Sequence, residues 1–159
     1  MQIVVMGVSG CGKSTVGQLL AEEFGARFID GDDLHPAANK AKMAAGTPLN
    51  DDDRWPWLAL VGETLAEGDT VVACSALKRV YRERILAAAP NTKFVHLAGS
   101  REVLEQRLGA RSGHFMPASL LDSQLATLEA LATDEPGVVV DIDQPVAAIV
   151  AEAAAWLRS

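Results

Sequence analysis

Gly7-Val8-Ser9-Gly10-Cys11-Gly12-Lys13-Ser14 is the stretch from which the rest of the chain can be read. It fits the pattern of a glycine, four residues of any kind, then Gly-Lys and a serine or threonine. Its flanks give the pattern mechanical meaning. Upstream, Ile3-Val4-Val5-Met6 is a short apolar run of the kind a buried strand presents; downstream, Val16, Leu19, Leu20 and Phe24 recur at helical spacing between Thr15 and Phe24. A glycine-rich loop joining a strand to a helix can turn its backbone N–H groups inward, and the helix N-terminus adds partial positive charge. Such a loop, a P-loop, cradles a triphosphate. Lys13 then reaches the β- and γ-phosphate oxygens and the Ser14 hydroxyl is placed for Mg²⁺, so Gly7 through Thr15 form the nucleotide-binding segment. An ordinary glycine-rich turn is the alternative, and the strand and helix flanks weigh against it.

The chain has 159 residues and is read as a single domain, 1–159, long enough to bury roughly two thirds of the surface its unfolded form exposes. Its two cysteines, Cys11 and Cys74, fit no metal spacing and suggest no disulfide framework. Neither a targeting signal nor a long apolar segment is present, which predicts a soluble cytoplasmic protein without a membrane partner. A formal net charge of -7 argues against a nucleic-acid partner or an anionic membrane. An anionic small substrate stays open, because positive charge is locally concentrated at Lys78, Arg79, Arg82 and Arg84, and again at Arg101, Arg107 and Arg111. A solvated helix face is the plainer reading of each group.

Apolar runs recur at Ile3 to Met6, Arg27 to Ile29, Thr70 to Cys74, Lys93 to Leu97 and Val138 to Asp141, with helical patterns between them. That alternation predicts an α/β fold with a mostly parallel sheet. Pro36 suits the first turn of a helix that Gly46 ends, Gly68 closes a helix from about Trp55 to Glu67, and Gly46 to Arg54 reads as a polar loop between the two. The last helix spans Val146 to Leu157. In open parallel sheets ligands bind beyond the carboxyl ends of the strands, so function is sought just after each one.

The second strand ends in Phe28-Ile29-Asp30-Gly31-Asp32-Asp33-Leu34-His35. Phosphoryl transfer needs a carboxylate to support Mg²⁺ and often another to orient or deprotonate the accepting hydroxyl. Asp30, nearer the sheet, suits the metal; Asp32, two residues on and expected on the same side, suits the base. An Asp-Gly turn with solvated acids is the plain alternative. The third strand has no acid and runs into Ser75-Ala76-Leu77-Lys78. The last, Val138-Val139-Val140-Asp141, leads into Ile142-Asp143-Gln144-Pro145, read as a nucleotide-side loop or a purely structural turn. Asp134-Glu135-Pro136-Gly137 precedes a strand instead of following one and no Asn-Lys-x-Asp occurs, which disfavours a guanine-specific switch. The Gly-, Ser- and Pro-containing segment from Arg111 to Ala118 suggests a mobile lid over the nucleotide, about 111–121 in extent. Arg107 and Arg111, one helical turn apart, can flank the phosphates or stack on adenine. The plain reading is a connecting loop beside a salt-bridged helix.

Taken together, Gly7 to Ser14, Asp30 to Pro36, Pro48-Leu49-Asn50-Asp51-Asp52-Asp53-Arg54, Cys74-Ser75-Ala76-Leu77-Lys78, Gly113-His114-Phe115 and Val140 to Pro145 resemble the successive motifs of bacterial gluconokinases, relatives of shikimate and adenylate kinases. The resemblance runs from about Ile3 to Pro145. It implies a P-loop NTPase fold with a five-stranded sheet of order 2-3-1-4-5, flanked by helices and carrying a lid. It also implies transfer of phosphate from ATP, with Mg²⁺, to the 6-hydroxyl of D-gluconate, and it makes a homodimer the expected assembly. A linear polyol with one carboxylate needs short hydrogen-bonding groups and a cation, preferably arginine. Arg54, Lys78 and Arg82 are the candidates for the carboxylate; Asp32, His35, Ser75 and Gln124 for the hydroxyls. The segment Phe115-Met116-Pro117-Ala118 lacks the further basic residue that shikimate-kinase-like lids bring, so transition-state charge rests on Lys13, Mg²⁺, Arg111 and His114. Two other readings differ in class: a P-loop kinase for shikimate, another sugar acid or a nucleoside monophosphate, and a nucleotide-binding module without phosphotransfer. An acceptor-side carboxylate pair, which a pure binder does not need, weighs against the second.

Overall fold

A computed structural model of the chain describes residues 1–110 and 118–159. Five strands make one parallel sheet in the order β2-β3-β1-β4-β5: β1 Gln2–Met6, β2 Arg27–Asp30, β3 Thr70–Ala73, β4 Lys93–Ala98 and β5 Gly137–Asp141. The order and the flanking helices are those expected. The sheet reverses direction of winding at β1, with β3 on one side and β4 on the other, and the phosphate loop emerges there.

Because side chains alternate across a strand, neighbouring apolar residues serve different layers. Ile3 and Val5 of β1 pack with Val71, Val95 and Leu97 against α1 (Lys13–Phe24) and α7 (Val146–Arg158). Val4 and Met6 pack with Val72 and Phe94 against α3 (Asp51–Ala66) and α4 (Arg79–Ala88). Three further helices complete the described chain: α2 Ala37–Ala44, α5 Arg101–Ala110 and α6 Ala118–Thr127.

Two departures from expectation bear on the site. The polar run after Gly46 is not all loop: α3 begins at Asp51, four residues before Trp55. Asn50 accepts a hydrogen bond from the Asp53 N–H at 2.8 Å, and the Asp53 carboxylate accepts from the Asn50 N–H at 3.0 Å. This reciprocal cap satisfies two orphan donors and starts a helix that carries Pro56 within it. Secondly, Asp32 is not on β2. The strand ends at Asp30, and Gly31–Leu34 is a single 3-10 turn, so strand alternation does not set the relation of the two acids. Gly31 permits the turn: a β-carbon there would stand 2.5 Å from the Ala73 carbonyl oxygen.

Candidate active site

The phosphate loop is held open by conformations that side chains disfavour. Gly7, Gly10 and Gly12 have φ of 145°, 85° and 94°, and a β-carbon on Gly7 would lie 2.8 Å from the Leu97 carbonyl oxygen. Across the loop, Lys13 Nζ donates to the carbonyls of Gly7 and Val8, both at 3.1 Å. Ser14 and Thr15 follow in the first turn of α1. Cys11 is buried, and burial raises its thiol against the lowering pull of Lys13, so it contributes backbone instead of a thiolate.

Asp30 and Asp32 come together through the turn. The Asp32 N–H donates to Asp30 Oδ1 at 3.0 Å, which leaves the second Asp30 oxygen for another partner. Asp32 keeps solvent-accessible surface, yet protein atoms crowd around it. Burial first, then the Asp30 charge, raise its carboxyl above the usual range, while His35 and Lys13 pull it down. His35 itself is buried, stacked on Trp57 with ring centroids 4.1 Å apart. Burial lowers its pKa, against the opposing charge of Asp32, and keeps the ring neutral near pH 7. Its tautomer follows from its neighbours. Asn39 Nδ2 lies 2.8 Å from the Asp53 carbonyl oxygen, which can only accept, and 3.1 Å from His35 Nδ1. Nδ1 therefore accepts, and the ring proton sits on Nε2.

Between α3, the loop after β3 and α6 lies a cavity of about 300 Å³, lined by Pro48, Leu49, Arg54, Trp57, Ser75, Leu77, Tyr81, Ser123, Gln124 and Thr127. A larger groove of about 560 Å³ runs along α1 and α7, but no residue of the phosphate loop lines it. Convergent polar groups pick out the smaller one. On its α3 side Asp51 accepts from Tyr81 Oη at 2.5 Å and Arg54 Nη1 at 3.2 Å, and forms an ion pair with Lys78 Nζ at 3.7 Å. The Tyr81 hydrogen bond foremost, with the two cations, holds the Asp51 carboxyl below its ordinary value. Tyr81 is pushed up to about 12, by burial and then by the same bond. Arg54 and Lys78 thus stand together, each 5.6 Å from the centroid of the Tyr81 ring.

Of the acceptor-side residues expected from the sequence, Arg54 and Ser75 line the cavity, His35 adjoins it by stacking on Trp57, Lys78 adjoins it through Asp51, and Asp32 interacts with His35, but Arg82 is turned away. Arg82 is fully buried and faces Glu135, with Nε to Oε1 at 2.7 Å and Nη2 to Oε2 at 3.0 Å. Its Nη1 donates to the carbonyls of Ala76 and Leu77 at 2.9 and 3.3 Å. Arg82 is enclosed in that pair and does not line the cavity. Its work is to hold a strained loop, since Ala76 has φ of 45°, a left-handed conformation costly for alanine. Gln124 also differs in part. It lines the cavity as expected, but its amide is committed to the phosphate loop: Ser9 N–H donates to Oε1 at 2.6 Å and Nε2 donates to Ser9 Oγ at 3.0 Å.

On the other flank Arg107 donates to the Ile142 carbonyl, joining α5 to the loop after β5. That loop is an Asx turn, with Asp143 N–H to Asp141 Oδ1 and Gln144 Nε2 to the Asp141 carbonyl, both 2.8 Å. Asp143, Gln144 and Pro145 therefore share a neighbourhood with Arg107 beyond the strand ends. Arg111, His114 and most of the expected lid lie outside the described residues. Among the described residues no group of three His, Cys, Asp or Glu could hold a metal alone. A hydroxyl at Ser14 and a carboxylate at Asp30 are hard oxygen donors that suit Mg²⁺, which keeps waters and takes phosphate oxygens for the remainder.

Sequence reasoning missed Asp51, Tyr81, Trp57 and Asn39. The signal for Asp51 was present in Asn50 followed three residues later by Asp53, a helix start that puts Asp51 and Arg54 one turn apart.

The family described as "AAA domain" matches residues 3–131. The gluconokinase of Gluconobacter oxydans is 52% identical over 87% of this chain and 80% of its own length. The thermoresistant gluconokinase of Escherichia coli is 46% identical over 93% and 88%. A crystal structure of a gluconokinase from Sinorhizobium meliloti superposes with a TM-score of 0.92 at 55% identity, covering 99% of this chain and 91% of that one.

Proposed function

The chain belongs to the gluconokinase family of P-loop kinases, and from that premise we propose that it transfers the γ-phosphoryl group of ATP to the 6-hydroxyl of D-gluconate. The observation that carries the reading is the convergence of two different loops at one sheet edge. A glycine cradle with Lys13 stands after β1, and a polar cavity with paired cations stands after β3, joined by the Gly7 N–H donating to the Ser75 carbonyl at 3.2 Å. ATP phosphates occupy the cradle, with Lys13 exchanging the Gly7 and Val8 carbonyls for phosphate oxygens. Ser14 and Asp30 would hold Mg²⁺ together with the phosphates, and the ion would supply charge neutralisation for the moving phosphoryl group. Arg107 and the Asp143-Gln144-Pro145 turn border the base, and Arg111 and His114 are assigned to the transferring group on sequence grounds alone.

At the acceptor end Arg54 and Lys78 bind the gluconate carboxylate. Ser75 and the His35 Nε2–H serve the hydroxyls. Asp32 orients the 6-hydroxyl and takes its proton; burial and the Asp30 charge raise its pKa, which makes its carboxylate a better base. The assembly is a homodimer, as the family resemblance implies. Function is in the cytoplasm; among the described residues no helix is long and apolar enough to cross a membrane.

The test is a panel of acceptors with Mg-ATP, following ADP release. D-Gluconate should turn over far faster than glucose, shikimate or AMP. Equal turnover of glucose, which lacks the carboxylate, would contradict the assignment of Arg54 and Lys78.

A further inference from the structure

Gln124 is the one side chain for which the described contacts link both halves of the site. It stands on α6 in the wall of the acceptor cavity, beside Ser123 and Thr127, and its amide bonds both the N–H and the hydroxyl oxygen of Ser9 in the phosphate loop, at 2.6 and 3.0 Å. The chain that follows is tied to the acceptor loop. The Glu129 N–H donates to the Leu77 carbonyl at 2.7 Å, and Glu129 Oε1 accepts from the Arg79 N–H at 3.0 Å. One stretch, Gln124 to Glu129, therefore grips the loops of both substrates.

We propose that Gln124 is a positioning residue that couples the two sites by exchanging hydrogen-bond partners. The Ser9 N–H now spends itself on a neutral amide oxygen. A phosphate oxygen makes a charge-assisted bond of roughly twice the strength and competes for that donor. When Ser9 turns to phosphate, Gln124 Oε1 is left without its donor in the wall of a polar cavity, where an unpaired acceptor is unfavourable. An acceptor hydroxyl supplies the missing proton. Nucleotide binding thus prepares the cavity for the sugar acid, and by linkage the sugar acid tightens nucleotide binding by the same factor. The proposal rests on gluconate being the acceptor.

The test is calorimetric titration of the whole protein with Mg²⁺ and a non-hydrolysable ATP analogue, in the absence and presence of saturating D-gluconate. The wild type should show tightening of about tenfold, in the middle of ordinary coupling factors. In Gln124→Met, which keeps the side-chain volume, the factor should fall to within about twofold of unity, because the nucleotide alone then binds without breaking the Ser9–Gln124 bond and tightens toward the affinity the wild type shows with gluconate present. Ser9→Ala serves as a second variant and should weaken the coupling without abolishing it, because the backbone N–H is retained. Combined with Gln124→Met, it should add nothing further. The proposal is overturned by undiminished coupling in Gln124→Met, by no coupling in the wild type, or by single-ligand losses as large as the loss for the pair. Failure of gluconate to bind the wild type overturns the acceptor assignment and this coupling together, and is recognised because the sugar acid then gives no heat at all.

Discussion

The surroundings of Asp32 disfavour its charged form, and that has opposite consequences for stability and for turnover. Burial and Asp30 raise its pKa in the folded protein. A raised carboxyl contributes stability that is fully present below the unfolded value, near 3.8, and is lost as pH rises through the folded value. Above the folded value the ionised group therefore weighs against the native state. Asp32→Asn should melt no lower than wild type at pH 7, and the advantage should vanish below about pH 4, where the acid is protonated in both states. The same substitution should lower gluconate turnover by roughly 10²- to 10⁴-fold, the range for lost general-base action. Nucleotide affinity should hardly change, whereas Asp30→Asn should raise the Mg²⁺ requirement. Loss of nucleotide binding in Asp32→Asn with retention in Asp30→Asn would show the roles reversed. Lys13→Ala should lower kcat by several orders of magnitude in a folded protein, because its charge matters most as the phosphoryl group moves. Retention of more than about a tenth of kcat, a loss of under ~1.4 kcal/mol, would contradict the cradle.

The loop after β3 depends on an ion pair whose two residues do not line the cavity. Arg82 on α4 and Glu135 before β5 form a buried pair, with side-chain exposures of 0% and 5%, and Arg82 also pins the strained carbonyl of Ala76. Burial would raise the Glu135 carboxyl, but the Arg82 hydrogen bond, the Ala132 N–H and the nearby cations outweigh it and hold it low. Its stabilisation is present above the unfolded value, near 4.5, and is lost as pH falls through the folded one. Arg82→Ala leaves Glu135 buried and unpaired, at about 3–5 kcal/mol of stability. Chemical denaturation should show that loss; a change under about 1 kcal/mol would mean the pair is solvated and the account of the loop is wrong. What the sequence reveals differs by element. Strands and the phosphate loop are legible because apolar runs and glycine spacing are local signals. The start of α3 is written in the Asn50–Asp53 cap but lies in a run whose polarity reads as loop, and the true surroundings of Arg82 and Gln124 depend on residues 53 and 115 positions away, which no local pattern reports.

Over the whole molecule a net charge of -7 repels anions, so the paired cations Arg54 and Lys78 must create a local exception at the cavity. Strand order puts that cavity beside the phosphate loop, since β3 and β1 are neighbours in the sheet although far apart in the chain. On the proposed reading the single arrangement takes a nucleotide on one side and an anionic polyol on the other, with a primary hydroxyl between them. The most direct measurement is phosphorus NMR of the product formed from D-gluconate and Mg-ATP. One new phosphomonoester signal should appear, split by the two protons of carbon 6, with one ADP released for each ester formed. ADP release without an ester, or an ester split by a single proton and so carried on a secondary carbon, would contradict the account.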